Sequence, residues 1–551
     1  MQIGPGNGRN SPADPLNPPH SASACPSFWF EDMLCKPFTV EEIHELVAAV
    51  GYSASLAKIA GADAVELHAY GGYLCDQFQS EMWNFRTDEY GGSLENRMRF
   101  TLEIIAEIKK TCGKDFPLIV KYTPDHCSTS QGSRKLPEGI EMAKMFEKAG
   151  VDALHIDKGC YDVWYEVIPN VYIDDANQIE LSKAIKEVVN IPIMSHGKLG
   201  DPNVAESVLQ AGKTDFIGLG HTSICEPHWV NKVKSGRFYD LRPCIGCNEC
   251  VANISVGKDS SCSINPLNGV EKEYPLIPVK DKKRILVIGG GPAGMQTAIT
   301  AAERGIEVEI WEKESQLGGL LLAAGAPSFK KDVKKYVNYL TNKVFRSSNI
   351  KVMLNKTANI NEIIKNRFDF VIIAAGSSPV VPPIQGIDRP IVKTSTDILT
   401  GKEKPGNKSV IIGGGLVGCE TALSIIKDQG KEAVIVEMMD DILSVGDVFL
   451  NNEMKLRQMI SDSKLKTICS AKVTAIGDNF ITFIIDDKEE KIDCDTVILA
   501  CGYLPNNEIE KELEAIGIDC KNIGDSVKAR KIYPAVHEGF HAARLLFEDE
   551  F

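Results

Sequence analysis

From Thr39 onward, helix-period runs alternate with short apolar runs. Thr39 and Glu42 form a capping box that opens a helix predicted to about Ala60, where Gly61 stops it. Ala64 to His68 then reads as a strand. The cycle repeats with helices over Leu94 to Cys112, Pro137 to Ala149, Asn177 to Val189 and Pro202 to Ala211. The strands that follow them are Pro117 to Lys121, Ala153 to Ile156, Ile191 to Met194 and Phe216 to Leu219. Strands alternating with helices of this length predict a parallel sheet in an α/β protein. Five strands are clear, and Met1 to Gly4 is a candidate sixth. A (β/α)8 TIM barrel needs eight strands and about 250 residues, so a barrel over residues 1–242 is two strands short, at its start. Residues 1–40 hold a polar, proline-rich arm, predicted as a long loop, that includes the apolar patch Phe28-Trp29-Phe30.

The second half carries the same nucleotide signature twice. Arg284 to Ile288 is an apolar strand, Gly289-Gly-Gly291-Pro-Ala-Gly294 opens a helix, and the strand Val308 to Trp311 ends at Glu312. Glycines at this spacing let a pyrophosphate approach a helix N-terminus, and an acid about 20 residues on can hold ribose hydroxyls. The pattern recurs as the strand Ser409 to Ile412, the turn Gly413-Gly-Gly415-Leu-Val-Gly418, and Glu437 after Val434 to Val436. An acidic Glu437, followed by Met438-Met439-Asp440 with no arginine, favours NADH over NADPH. Ala500-Cys-Gly502 returns the chain to the first fold. The predicted division is 282–400 and 505–551 for one Rossmann-like domain, with a second inserted at 401–504. A helix from Pro534 to Phe547 is expected to cap the first.

Between barrel and nucleotide folds, residues 243–281 hold Cys244, Cys247 and Cys250, then eleven residues, then Cys262. Four thiolates at this spacing fit structural zinc or an iron–sulfur cluster. Three ligands from one loop and a distant fourth resemble a [4Fe–4S] site more than the paired cysteines of a zinc ribbon. A cluster flanked by flavin-type modules reads as a wire. The 551 residues carry 16 cysteines and no apolar signal-type start, which fits a reducing cytoplasm rather than a disulfide framework. A formal net charge of −14 argues against nucleic acid and anionic membranes as partners. The sequence shows no apolar run of about 20 residues that would span a bilayer.

The stretch Val65-Glu-Leu-His-Ala-Tyr-Gly-Gly-Tyr-Leu-Cys-Asp-Gln-Phe78, followed by Arg86-Thr-Asp-Glu-Tyr-Gly-Gly-Ser-Leu-Glu-Asn-Arg97, closely resembles the old yellow enzyme family. With the cysteines and the tail, the resemblance narrows to the branch of 2,4-dienoyl-CoA reductases, enoate reductases and bile-acid oxidoreductases, and it runs over nearly the whole chain. It implies FMN in the barrel, FAD and NADH in the tail, and an electron relay from NADH through FAD and [4Fe–4S] to FMN. The implied reaction reduces the C=C bond of a small enone or enoate, with His68 as hydrogen-bond donor to the carbonyl and Tyr73 as proton donor. The family's second carbonyl donor falls at Gly71, so it is missing or supplied by Tyr70. Gln2 matches a glutamine that touches the flavin pyrimidine ring, and Lys121 the cation beside the flavin N1–C2 carbonyl. The phosphate loops match at Gly197-Lys198 and Gly220-His221, where Lys198 and His221 replace the usual arginines. In the tail, Gln316-Leu-Gly-Gly319, Gly376, Gly524 and Asp525 match FAD contacts. The family also contains oxidative amine demethylases, which share barrel and cluster but lack a true second coenzyme site. A chain with only the FAD/NADH module working would be an electron-transfer fragment. Members of this design are often homo-oligomers.

Overall fold

The computed structural model describes residues 1–11, 16–446 and 448–548. The chain divides into two compact units. One comprises Met1–Pro169 and Ile173–Gly220; the other comprises Asn170–Tyr172 and the chain from His221 on. The division between compact units falls at Gly220, ahead of the expected domain boundary at residue 242, because the segment after the last barrel strand packs with the cysteine loop.

The first unit is built on one parallel sheet. Its strands follow chain order: Gln2–Ile3, Val65–Ala69, Leu118–Tyr122, Ala153–Ile156, Ile193–Ser195 and Phe216–Ile217. The candidate sixth strand is thus real, and Gln2 sits opposite Glu66. Strand alternation sorts the side chains. Val65, Leu67 and Ala69 are fully buried with Ile104, Ile105 and Ile108 of helix Leu94–Cys112, while Glu66 and His68 turn to the opposite face. The register then places His68 beside Lys121 and Lys121 beside His155. Helix Val40–Ile59 starts at the predicted capping box, with Thr39 and Glu42 bonded reciprocally. Within the arm, Pro26 pairs with Leu34, and Phe28 and Trp29 meet the rings of Tyr161 and Trp164.

The second unit contains both nucleotide folds. One five-stranded parallel sheet runs Ile350–Met353, Glu307–Trp311, Arg284–Ile288, Phe370–Ile373, Cys520–Asn522. The other runs Val392–Thr394, Thr496–Leu499, Lys408–Ile412, Glu432–Val436, Lys466–Ile468. Every strand of the second lies between residues 373 and 520, so it is inserted in the first. It begins at Val392 rather than at residue 401, because that short strand pairs with Thr496–Leu499. An antiparallel sheet over Lys472–Ile476, Phe480–Ile485 and Lys488–Asp493 was not anticipated. Helix Ile532–Leu545 caps the first fold. Gly539 lets it approach so closely that a Cβ there would sit 2.4 Å from the Ala293 carbonyl oxygen. Among the described residues no helix is long and apolar enough to cross a membrane.

Candidate functional site

In the barrel unit the polar side chains gather at the C-terminal ends of the strands, where such folds place their chemistry. His68 stands with its ring centroid 4.3 Å from Tyr73 and 4.4 Å from Tyr70. The Tyr73 hydroxyl shares a 2.7 Å hydrogen bond with that of Tyr161. The Lys121 ammonium lies 3.0 Å from the Asp157 carboxylate and 3.9 Å from the Tyr70 ring centroid. The turn carrying Tyr73 is fixed from below. Gly71 and Gly72 have φ of +67° and +83°, which side chains with a Cβ rarely adopt. The Gly71 N–H donates to the Thr123 hydroxyl, and the Gly72 N–H donates to the Asp76 carboxylate at 2.7 Å. Asp76 is fully buried and paired with Arg134 and His126. Burial alone would raise its carboxyl, but these partners hold it at about 2.

Protonation states follow from burial. Desolvation, reinforced by the neighbouring Lys121 charge, lowers His68 to about 4, so its imidazole is neutral at ordinary pH and can donate an N–H. Burial raises Tyr73, against the pull of its Tyr161 hydrogen bond, so the phenol keeps its proton. Lys121 is raised: burial opposes the charge, and the buried Asp157 carboxylate outweighs it. The rate of C=C reduction is therefore expected to stay level from about pH 5 to 9. A rate loss with a midpoint near the free imidazole value of about 6.5 would show that His68 is not held neutral.

The two phosphate-loop replacements part ways. Lys198 (φ +53°) donates from Nζ to the Ile173 carbonyl. His221 belongs to the second unit and hydrogen-bonds the sulfurs of Cys244 and Cys250. What fits an anionic ring system at the barrel rim is a set of unmet polar groups. Among the described residues, the Asn177 side-chain oxygen and nitrogen and the Gln178 Oε1 are buried without a hydrogen bond. Gly197 (φ +89°) backs directly onto Asn177, where a Cβ would fall 2.4 Å from Oδ1, and Gly220 opens onto free space. With Gln2 and Lys121 on the same sheet, these residues fit FMN.

In the second unit Gly246 and Asn248, both at positive φ, turn the loop that carries Cys244, Cys247 and Cys250. Gly246 is required there, because a Cβ would meet the Val171 nitrogen at 2.5 Å. The Gly246 N–H points at the Cys244 sulfur, and Cys247 Sγ lies 3.2 Å from the Ser263 hydroxyl. Cys250 and Cys262 are buried. Among the described residues, no three His, Cys, Asp or Glu side chains gather closely enough to hold a metal ion. Four cysteines, three from one turn and the fourth further along the chain, are a donor set that fits [4Fe–4S]. The loop is latched by a buried amide cluster. Asn248 donates to Asn451 and Asn452, Asn170 donates to Asn451, and Asn452 donates to the Gly246 carbonyl.

The two nucleotide turns are built alike. Gly289 and Gly413 have φ of +105° and +109°, each with a carbonyl (Ala374, Ala500) where a Cβ would go. Gly291 and Gly415 open onto free space, as a cradle for pyrophosphate requires. Gly294 and Gly418 let each helix close onto the preceding turn. Glu312 accepts from the Gly290 and Glu314 N–H groups, and Glu437 from those of Gly414 and Met439. Each acid is thereby aimed across its turn. Beyond Glu437, Met438 and Met439 are exposed and uncharged. Gly376 (φ +69°) is open, Gly524 (φ +69°) starts the turn of Asp525, and Asp525, raised by burial, accepts from the Arg530 N–H. These residues fit FAD in the first fold and NADH in the second.

Sequence reasoning passed over Glu66, Tyr161, His155, Asp157 and His196 as site residues. The signal was present: Glu66/His68 and His155/Asp157 are polar residues two apart at strand ends, hence on one face.

Residues 4–240 match the model of the NADH:flavin oxidoreductase / NADH oxidase family, and residues 283–530 that of pyridine nucleotide-disulphide oxidoreductases. The chain is 38% identical to a cinnamate reductase of Clostridium sporogenes, over 95% of its own length and 80% of the relative's. It is 34% identical to a bilirubin reductase of Mediterraneibacter gnavus, covering 92% and 79%. A 2-naphthoyl-CoA reductase solved with 2-naphthoyl-CoA superposes with a TM-score of 0.90 at 31% identity, covering 96% of this chain and 80% of that one.

Proposed function

The chain belongs to the NADH:flavin oxidoreductase / NADH oxidase family, in its old yellow enzyme and enoate reductase branch, and on that premise we propose how its residues carry out the reaction. It is an NADH-dependent oxidoreductase of the ene-reductase type, and its cofactors are FMN, FAD, NADH and a [4Fe–4S] cluster. Its substrate is a small molecule whose C=C bond is conjugated to a carbonyl: an enoate, an enoyl thioester or a polycyclic enone. When bound, FAD would take a hydride from NADH, the cluster would carry its two electrons one at a time with the proton released to solvent, and FMN, taking up a proton, would deliver a hydride to the alkene.

The observation that carries the reading is a neutral imidazole and a protonated phenol side by side at the mouth of the barrel strands, His68 and Tyr73. His68 donates its N–H to the substrate carbonyl and stabilises the negative charge that develops there. Tyr73 holds the proton destined for the α-carbon, and Tyr161 accepts or donates the hydrogen bond that positions the Tyr73 hydroxyl. Tyr70, tilted against His68 and lying over Lys121, closes the wall where the family's second donor would stand. Gln2 and Lys121 hold the flavin pyrimidine edge, and Gly197, Lys198 and Gly220 its phosphate. Cys244, Cys247, Cys250 and Cys262 ligate the cluster. Glu312 and Glu437 hold ribose hydroxyls of FAD and NADH. An oxidative amine demethylase is the weaker reading, since the second nucleotide turn and its acid are intact. The sixteen thiols suit a reducing cytoplasm.

Anaerobic analysis of the purified chain for FMN, FAD, iron and sulfide tests the assignment. FMN, FAD and about four irons per chain, with NADH-driven reduction of cinnamate or an aryl enoyl thioester, are expected. FAD and iron without FMN, and no enone turnover, would reduce the protein to an electron-transfer module.

A further inference from the structure

Six side chains of the barrel unit form one continuous polar chain. Gln2 donates from Nε2 to Glu66 Oε1 at 2.7 Å. The other carboxylate oxygen, Glu66 Oε2, meets His155 Nδ1 at 2.8 Å. His155 Nε2 meets His196 Nδ1 at 2.9 Å, with the two rings edge-on. His196 Nε2 lies 3.5 Å from the Asp157 carboxylate, which pairs with Lys121 at 3.0 Å. Gly218 leaves room for the ring pair: a Cβ there would come within 3.1 Å of the His196 Cβ and 3.5 Å of His155 Nε2.

We propose that His155 is a positioning residue for the flavin, joining Glu66 to His196 and so closing a single polar chain whose two ends, Gln2 and Lys121, meet the pyrimidine ring. This rests on the reading that Gln2 and Lys121 are flavin contacts. Two carboxylates, Glu66 and Asp157, and one ammonium, Lys121, share this chain, and His155 is the group that hydrogen-bonds Glu66 Oε2 and links it through His196 to the rest. Buried among them, His196 is pushed down to about 4 by desolvation and by Lys121, and stays neutral. When His155 hydrogen-bonds Glu66, the carboxylate is partly neutralised and the negative charge of a reduced flavin is better tolerated. Without His155, Glu66 Oε2 loses its hydrogen-bond partner, the carboxylate charge is met only by Gln2 and the more distant Lys121, and Gln2 is held by a less firmly anchored group.

The test is the midpoint potential of the FMN, by anaerobic dye-coupled titration of the holoenzyme, together with the FMN dissociation constant. H155L is expected to lower the potential and to weaken FMN binding about tenfold, the effect of losing one hydrogen bond to a charged group. E66Q keeps the shape and removes the charge, so it should move the potential upward. H155Q, which can still donate to Glu66, should recover part of the H155L loss, and M194L, in the same row, should change neither quantity. Opposite signs for H155L and E66Q are what a merely structural role would not produce. Equal potentials in H155L, E66Q and wild type would overturn the proposal. If K121M and Q2L also leave FMN potential and affinity unchanged, it is the underlying flavin placement that fails; if those two shift both quantities and H155L does not, the inference about His155 alone is wrong.

Discussion

Replacing Cys247 by alanine should abolish NADH-driven enone reduction while leaving the bleaching of FAD by NADH intact. Cys247 is one of the four cluster ligands we propose, and its Sγ meets the Ser263 hydroxyl in a loop whose path is set by Gly246 and Asn248. On the proposed assignment, losing one thiolate removes a cluster ligand without touching the NADH turn at Gly413, Gly415 and Glu437 or the FAD turn at Gly289, Gly291 and Glu312. The measurement is paired: iron and sulfide per chain, and the rates of flavin bleaching and of product formation in one anaerobic stopped-flow series. Because the loop is buried against the Asn451 and Asn452 amides, a folding defect is the obvious confounder, and Cys520 in a peripheral strand is the control substitution. Full product formation in an iron-depleted Cys247→Ala protein would remove the cluster from the reaction.

The second large effect is at Tyr73. Tyr73→Phe keeps the ring that packs edge-on to His68 and Tyr161 and deletes only the hydroxyl. A positioned general acid contributes about 10²- to 10⁴-fold, so the step that saturates the α-carbon should slow by that order. NADH oxidation by an artificial electron acceptor should be unchanged. The loss should appear in kcat rather than in substrate KM, because the hydroxyl acts on a carbon that carries negative charge only as the reaction proceeds. A Tyr73→Phe enzyme with unchanged kcat would move the proton donor elsewhere, with Tyr161 the next group in line at 2.7 Å from the deleted oxygen.

Which elements were legible depended on how local their causes are. Helix Leu94–Cys112 and strand Ala153–Ile156 lie where their hydrophobic period put them, because period and caps are written in adjacent residues. The antiparallel sheet at Lys472–Asp493 escaped notice because its middle strand, Phe480–Ile485, is apolar but for Thr482 and shows no clean alternation, and the charged stretch Lys488–Asp493 follows it. The start of the inserted fold was misplaced for a related reason. Val392–Thr394 is three residues long and becomes a strand only by pairing with Thr496–Leu499, a hundred residues away.

The sequence alone determined the two dinucleotide turns, the four-cysteine loop and the His68 to Tyr73 segment, since each is a run of neighbouring residues whose spacing is itself the chemistry. The tertiary structure decided what those residues touch. It set His221 against the Cys244 and Cys250 sulfurs and Tyr161 against the Tyr73 hydroxyl. It also threaded Gln2, Glu66, His155, His196, Asp157 and Lys121 into one chain. Those six residues span five strand positions across one sheet. Only the register between strands, fixed by burial of the alternate apolar residues, brings them within hydrogen-bonding distance.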